Sequence, residues 1–521
     1  MGLQNRRDAG ASQDQLRVRI KSMRKILLAK NTVASLLAQV TALICGFILP
    51  RLFLQHFGSE VNGLVNSITQ FLSVISFLEL GVGAVVESAL YKPLADHDTQ
   101  QVSRVMVSAN KFFHRLAQIL LVYVVGLILV YPHIANQNFG YVYTATLIAA
   151  ISISSFAQYY FGIVNALLLN ADQRGYIQYN AQTITLILNT VVCAIMISVG
   201  GSVQLVKLTT SLIYLARPLA LRIYVNRKYQ IDWKIKYTEE PIQQKWNGVA
   251  QHVAAVVLDG TDTIVLTLFS TLSNVSIYSV YNMVIRGVMN LFNGLFGGIQ
   301  ALLGELYARE ENDQLKSTFE ELEWVTHLGT VWVFGCVVTL IVPFVQVYTS
   351  GILDAEYVQP LFAAVIVLAT AVRCVRIPYN VMILAAGHYR QTQSYYVLTA
   401  LVNLVTSVIL VKPFGLIGVA IGTLMAMTFH LVWGLTYVSK KLVTISMKNE
   451  IKLFVVDVCM VILGVLATGF IEMRRTTYYS WILLAVQKAA IWTVVVIVIE
   501  LVFYRRKISA AIKRILGARS K

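Results

Sequence analysis

Residues 171–178 read ADQRGYIQ, and residues 386–393 read AGHYRQTQ. Each is a short polar interruption between long apolar runs, opening on Ala, closing on Gln and holding one Arg, one Gly and one Tyr. The two start 386 − 171 = 215 residues apart. Other landmarks recur in the same order at nearly that offset. Leu90-Tyr91 with Asp96 matches Leu306-Tyr307 with Asn312, and Pro132 matches Pro343. Tyr224-Val225-Asn226-Arg227-Lys228 matches Tyr437-Val438-Ser439-Lys440-Lys441. The chain reads as two copies of one architecture.

What fills each copy follows from composition. Of 521 residues, 57% are hydrophobic and only 13% charged, against about 25% charged in a soluble domain. Too little polar surface remains to face water, so lipid covers much of the chain. Counting runs of about 20 mostly apolar residues gives about fourteen transmembrane helices. The expected fold is an all-α integral membrane protein. Residues 1–30 form a basic N-terminal segment, 31–225 an N-lobe of helices 1–6, and 226–246 a linker. Residues 247–440 form a C-lobe of helices 7–12, and 441–521 add two helices and a basic tail. Six spans per copy is an even number, so both copies enter the membrane in the same direction, as in transporters built of parallel repeats. Two such bundles facing each other would enclose a cavity suited to alternating access.

Orientation follows from Lys and Arg. The first 30 residues hold eight, the 226–246 loop five and the tail after Phe503 seven, while loops 56–60, 133–141, 200–203, 272–275 and 349–356 hold none. Both termini and the linker are therefore expected on the cytoplasmic side of the inner membrane. The net charge of +17 belongs to this pattern, which argues against nucleic-acid binding. Leu16, Ile20, Met23 and Leu27 recur at helical spacing among Arg17, Arg19, Lys21, Arg24 and Lys25, reading as a helix lying on anionic membrane lipids. No apolar signal region precedes them, and Arg6 breaks the myristoylation pattern. The five cysteines are scattered singly through apolar stretches, so no disulfide, metal or cofactor is expected.

Ionised groups inside a span cost about 2.5–3.5 kcal/mol each on insertion scales and so face protein or a wet cavity. Arg286, Arg373 and Arg376 stand mid-span, the last two at i, i+3 and hence on one face. Arg217 and Arg51 lie nearer helix ends, as does Arg222, where snorkelling competes with function. Together Arg286, Arg373, Arg376, Arg217 and Arg51 suggest a cationic cavity for pyrophosphate, because a guanidinium donates paired hydrogen bonds and keeps its charge. Asp259, Asp262, Glu79 and Glu87 are candidates for holding a coupling ion. Internal pairing that merely orients helices is the alternative. The glycines at 294, 297 and 298 read as close packing, with a hinge as the rival reading. No GxSxG, HExxH or Walker A pattern occurs, the outer loops are short, and no enzyme is expected.

Several stretches resemble the polysaccharide-transporter branch of the multidrug/oligosaccharidyl-lipid/polysaccharide exporter superfamily, the lipid-linked oligosaccharide flippases. They are Pro50-Arg51-Leu52 with Gly58 and Gly63, Leu78-Glu79-Leu80-Gly81, Thr261 to Leu266 with Ile277 to Tyr281, Arg376-Ile377-Pro378, Ala386 to Tyr389, and Gly415-Leu416-Ile417-Gly418 with Gly422-Thr423. The resemblance covers about residues 31–440. It implies a V-shaped, two-lobe carrier that moves undecaprenyl-pyrophosphate-linked oligosaccharide repeat units to the outer leaflet for cell-surface polysaccharide (O-antigen, capsule or exopolysaccharide). It also implies coupling to H+ or Na+, a monomeric state, and a polysaccharide polymerase as partner. A drug/cation antiporter of the same superfamily is the near alternative. A scaffold or membrane enzyme is the distant one.

Overall fold

A computed structural model describes residues 2–79, 81–134, 138–242, 249–294, 299–505 and 507–509. Gly297, Gly298 and the tail beyond 509 lie outside them, as do the side chains of residues 2–25 that carry the N-terminal apolar stripe. Every ordered element among the described residues is helical, as hydrocarbon demands of a chain that must satisfy its own peptide groups. Nine described segments are long and apolar enough to cross a membrane, and this is a multi-pass membrane protein.

The chain divides into two compact units. The first is built from α1 (Gly2–Ser73) up to Phe57, α2 (Val82–Ala95), α3 (Thr99–Ile134), α4 (Tyr141–Ala157), α5 (Ile163–Ala171), α6 (Gly175–Ser198) and α7 (Val203–Lys228). A single π-helical turn, Gln158–Gly162, joins α4 to α5. The second unit contains α8 (Val249–Phe269), α9 (Leu272–Gly294), α10 (Ile299–Ala308), α11 (Asn312–Tyr348), α12 (Pro360–Val375), α13 (Ile377–Ala385), α14 (Tyr389–Lys441), α15 (Met447–Thr468) and α16 (Tyr478–Phe503).

The repeat is visible in the backbone. Left-handed residues recur at nearly constant spacing: His97 and Glu310, Gln173 and Gly387, Gly200 and Gly415. The differences are 310 − 97 = 213, 387 − 173 = 214 and 415 − 200 = 215. Each pair marks a turn or break at the same place in its copy. The two units divide between Val249 and Ala250, beyond the 226–246 interval, and at two further points. Residues 58–70 belong with the second unit. Gly58 breaks α1 with φ 82 and ψ 175, a region open essentially to glycine alone. Beyond it, Asn62 Nδ2 donates to Ser276 Oγ at 2.7 Å and Thr267 Oγ1 to Ser67 Oγ at 2.7 Å. Gly63 sits so close to Leu272 that an added Cβ would lie 1.8 Å from its carbonyl oxygen. The restarted helix is capped by Asp354, whose carboxylate accepts from Ser59 N and Ser59 Oγ, each at 2.6 Å, satisfying donors that a helix start leaves open.

The basic N-terminal segment is backbone-continuous with the first span, one helix running unbroken to Phe57. At the other end, α15 and α16 dock on α11 largely through indoles. Trp324 donates to Glu500 Oε2 at 2.9 Å, Trp332 to Thr493 Oγ1 at 3.0 Å and Trp481 to Leu340 O at 3.2 Å. Trp492, fully buried, fills the seam with Val331, Val456 and Met460.

Candidate functional site

In the first unit, α2's approach, the π-turn and α7 enclose a polar cavity of about 620 Å³. Glu79, Gln158, Tyr159, Gln182, Tyr214 and Arg217 are among its lining residues. Tyr159 donates its hydroxyl to Glu79 Oε1 at 2.5 Å. The π-turn aims it there, and such turns often mark functional places in helices. Arg217 Nε is buried without a partner, an unusual state for a guanidinium, since an unmet donor costs about 1–3 kcal/mol or more when charged. Gly162 admits α7 closely: an added Cβ would lie 2.9 Å from Pro218 Cβ. Glu87 stands apart, accepting from Asn170 Nδ2 at 2.9 Å in a helix-to-helix contact. Arg51 is half-buried on α1 and does not line the cavity.

In the second unit, Asp259, Asp262, Arg286 and Arg373 line one small cleft of about 50 Å³, with Tyr278 and Thr423. That is room for an ion or a few waters, not for a sugar. Its charges are compensated. Arg373 Nη1 pairs with Asp259 Oδ1 at 2.8 Å, and Arg286 Nη2 donates to the Asp259 carbonyl at 2.8 Å. A continuous cationic surface from Arg286, Arg373 and Arg376 is not what forms here. Arg376 does not line this cleft. Its Nη1 points at the His430 ring, 2.9 Å and 3.1 Å from the two nitrogens. The i, i+3 spacing put Arg373 and Arg376 on one face, but the helix ends at Val375 and restarts at Ile377 with Pro378 in its first turn. Pro378 has no amide hydrogen to continue the ladder, and Arg376 sits at the break.

Asp262 is 4% exposed. It accepts from Tyr278 and Thr423 hydroxyls, each at 2.9 Å. Asn403 Nδ2 donates to Thr423 Oγ1 at 3.0 Å. Its own Oδ1 is buried without a partner, as is Ser407 Oγ one turn along α14. Gly422, next to Thr423, lies close enough that an added Cβ would be 2.3 Å from Ser407 Oγ. The Asp262 carboxylate is thus held by two hydroxyls, with Asn403 bonded behind Thr423 and the open oxygens of Asn403 and Ser407 on α14. A search for charged residues passes over Asn403 and Ser407. Their i, i+4 spacing across an apolar helix is the signal that could have found them.

The second unit also carries an apolar groove of about 500 Å³ between α11, α12 and α15, lined by Val331, Phe334, Val367, Leu368, Phe454 and Val461 among others.

No protein-family model matches this chain, and no curated protein matches it. Solved structures do. The chain is similar to a lipid II flippase, MurJ, in an inward closed conformation, with a TM-score of 0.69 and 15% identity over 92% of this chain and 99% of that one. It is similar to an inward-facing multidrug resistance MATE family transporter of the MOP superfamily, with a TM-score of 0.58 and 12% identity over 77% of this chain and 95% of that one. Vibrio cholerae VcmN, a MATE transporter in its bent form, gives a TM-score of 0.54 at 11% identity over 80% of this chain and 97% of that one. At these identities the likeness concerns the fold, and this chain has the fold that the flippase and the MATE transporters share.

Proposed function

We propose that this protein is a flippase that carries undecaprenyl-pyrophosphate-linked oligosaccharide repeat units from the inner to the outer leaflet of the cytoplasmic membrane, for cell-surface polysaccharide synthesis. The observation that carries this reading is Arg217, half-buried with its Nε unpartnered, on a polar cavity of about 620 Å³. A fixed cation with unspent hydrogen-bonding capacity is complementary to a diphosphate. The apolar groove of the second unit offers a surface for an isoprenoid chain. The fold supports it too, since the likeness to the lipid II flippase extends over more of this chain than the likeness to the MATE transporters. In this reading the oxygen cluster at Asp262 holds the coupling cation, Na+ or H+, and Glu79 is a second coupling group beside the cargo.

Cation-coupled export of small molecules is the second reading, favoured by the compensated charges around Asp259. Reconstitution in liposomes separates the two. Purified protein should move fluorescent diphosphate-linked sugar lipid between leaflets, and Arg217→Gln should slow this about tenfold or more by removing a charge-assisted contact. Transfer of cationic dyes with no transfer of the sugar lipid would replace the first reading with the second.

A further inference from the structure

Beyond α7 the chain lies along α3. The Tyr229 hydroxyl donates to Asp172, which also pairs with Arg174 at 2.7 Å. Burial and that carboxylate hold the Tyr229 pKa above its ordinary value, so it remains a donor. Asp232 N donates to Ser103 Oγ at 3.1 Å, and Ser108 Oγ donates to Glu240. Lys111 Nζ rests 4.6 Å from the centroid of Tyr237. Between these anchor points a pocket of about 220 Å³ remains, lined by Asn110, Lys111, Tyr160, Asn165, Arg222 and Trp233 among others.

Its charge is one-sided. Neither Lys111 nor Arg222 pairs with a carboxylate among the described residues, and no carboxylate lines the pocket. Arg222 lies 5.3 Å from the Phe161 ring centroid, which steadies the guanidinium and leaves its donors open. Of the linker's three acids, Glu240 accepts from Ser108, Asp232 Oδ1 accepts from Lys234 N, and Glu239 is exposed and outside the pocket lining.

Asn165 narrows the ligand. It is 4% exposed, and its Nδ2 donates to Phe161 O at 2.7 Å. Its Oδ1 accepts from nothing. An ionised phosphate satisfies the two cations and has no hydrogen for that oxygen; a hydroxyl on the same ligand has one. We infer that this pocket binds a hydroxyl-bearing phosphate, its anion between Lys111 and Arg222 and its hydroxyl on Asn165 Oδ1. The volume suits a polyol phosphate or one sugar ring, and the faces of Tyr160 and Trp233 suit its carbon-bound hydrogens. The ligand comes either from solution, as a sugar or glycerol phosphate, or from a lipid headgroup such as phosphatidylglycerol. Bound there, it fastens the linker through Trp233 to α3 and α7.

The test is binding to the full-length protein in nanodiscs, which expose both faces and require no transport. In discs of neutral phosphatidylcholine, calorimetric titration with glycerol 1-phosphate and glucose 1-phosphate probes the soluble source. In discs doped with phosphatidylglycerol, co-purifying lipid counted by native mass spectrometry probes the lipid source. The proposal expects uptake in at least one arm, weakened roughly tenfold or more by Lys111→Gln with Arg222→Gln. Glycerol 1-phosphate or the glycerol headgroup should also be preferred over inorganic phosphate or phosphatidic acid, and Asn165→Ala should erase that preference with the protein still monodisperse. Equal binding by wild type and the double variant in both arms overturns the site. Equal binding of hydroxylated and bare phosphates by wild type overturns the ligand class.

Discussion

Asp262 and Asp259 lie three residues apart on α8 and do different things. Asp259 is about half exposed and neutralised by Arg373, whereas Asp262 is enclosed by hydroxyls and has the two orphaned oxygens of Asn403 and Ser407 nearby. Arg286 shares the cleft with Asp262, and in the proposed function this carboxylate holds the coupling cation. Stimulation of transport by an imposed Na+ or proton gradient should therefore vanish in Asp262→Asn and weaken in Ser407→Ala, while Asp259→Asn keeps it. Gradient-driven flux that is unchanged in Asp262→Asn would move the coupling site elsewhere, with Glu79 next in line. At this scale the sequence identified Asp262, Glu79 and Arg217 as charges out of place. It could not say that Arg373 would be neutralised or that Arg376 would turn to His430, because both outcomes depend on groups more than 50 residues away in the chain.

Elements fail or hold at their glycines. Gly335 on α11 and Gly464 on α15 flank Trp492, and an added Cβ would come within 2.5 Å and 2.3 Å of its ring. An indole held by neighbours on both sides cannot retreat. Gly464→Ala should destabilise the α11–α15–α16 packing by about 1–3 kcal/mol, read as a lower melting temperature in detergent. Trp492→Phe should restore part of the loss in the double variant. A melting temperature equal to wild type would show that the seam is looser than described. Gly58→Ala should cost a similar amount, about 1–3 kcal/mol, through backbone strain alone, and its Cβ would also press Asp354 Oδ2 at 2.8 Å. Loss of Asp354→Asn stability on top of Gly58→Ala, measured the same way, should be less than additive because both act on one helix start. Helix existence was legible from apolar runs. The break at Arg376 was missed, since the apolar run reads as one span straight through Pro378, and the break at Gly58 was not distinguishable from an ordinary span boundary.

For the whole molecule, the Lys and Arg distribution sets the expected sidedness. With native cysteines replaced, Leu353→Cys, whose parent side chain is 96% exposed, should react with a membrane-impermeant maleimide added to intact cells. Lys236→Cys should react only after lysis. Labelling of Lys236→Cys from outside would invert the orientation. Composition and periodicity by themselves determined that the chain is a helical, multi-pass membrane protein written twice over, since hydropathy sums along a span and a repeat needs no knowledge of contacts. The left-handed turns then fell 213 to 215 residues apart, within the 211 to 216 of the sequence landmarks. Only the tertiary structure decided that residues 58–70 join the second unit, which arginines are neutralised, and which neutral oxygens gather round Asp262. Those outcomes depend on distances between groups remote in the chain, and electrostatic and hydrogen-bond energies change steeply with such distances.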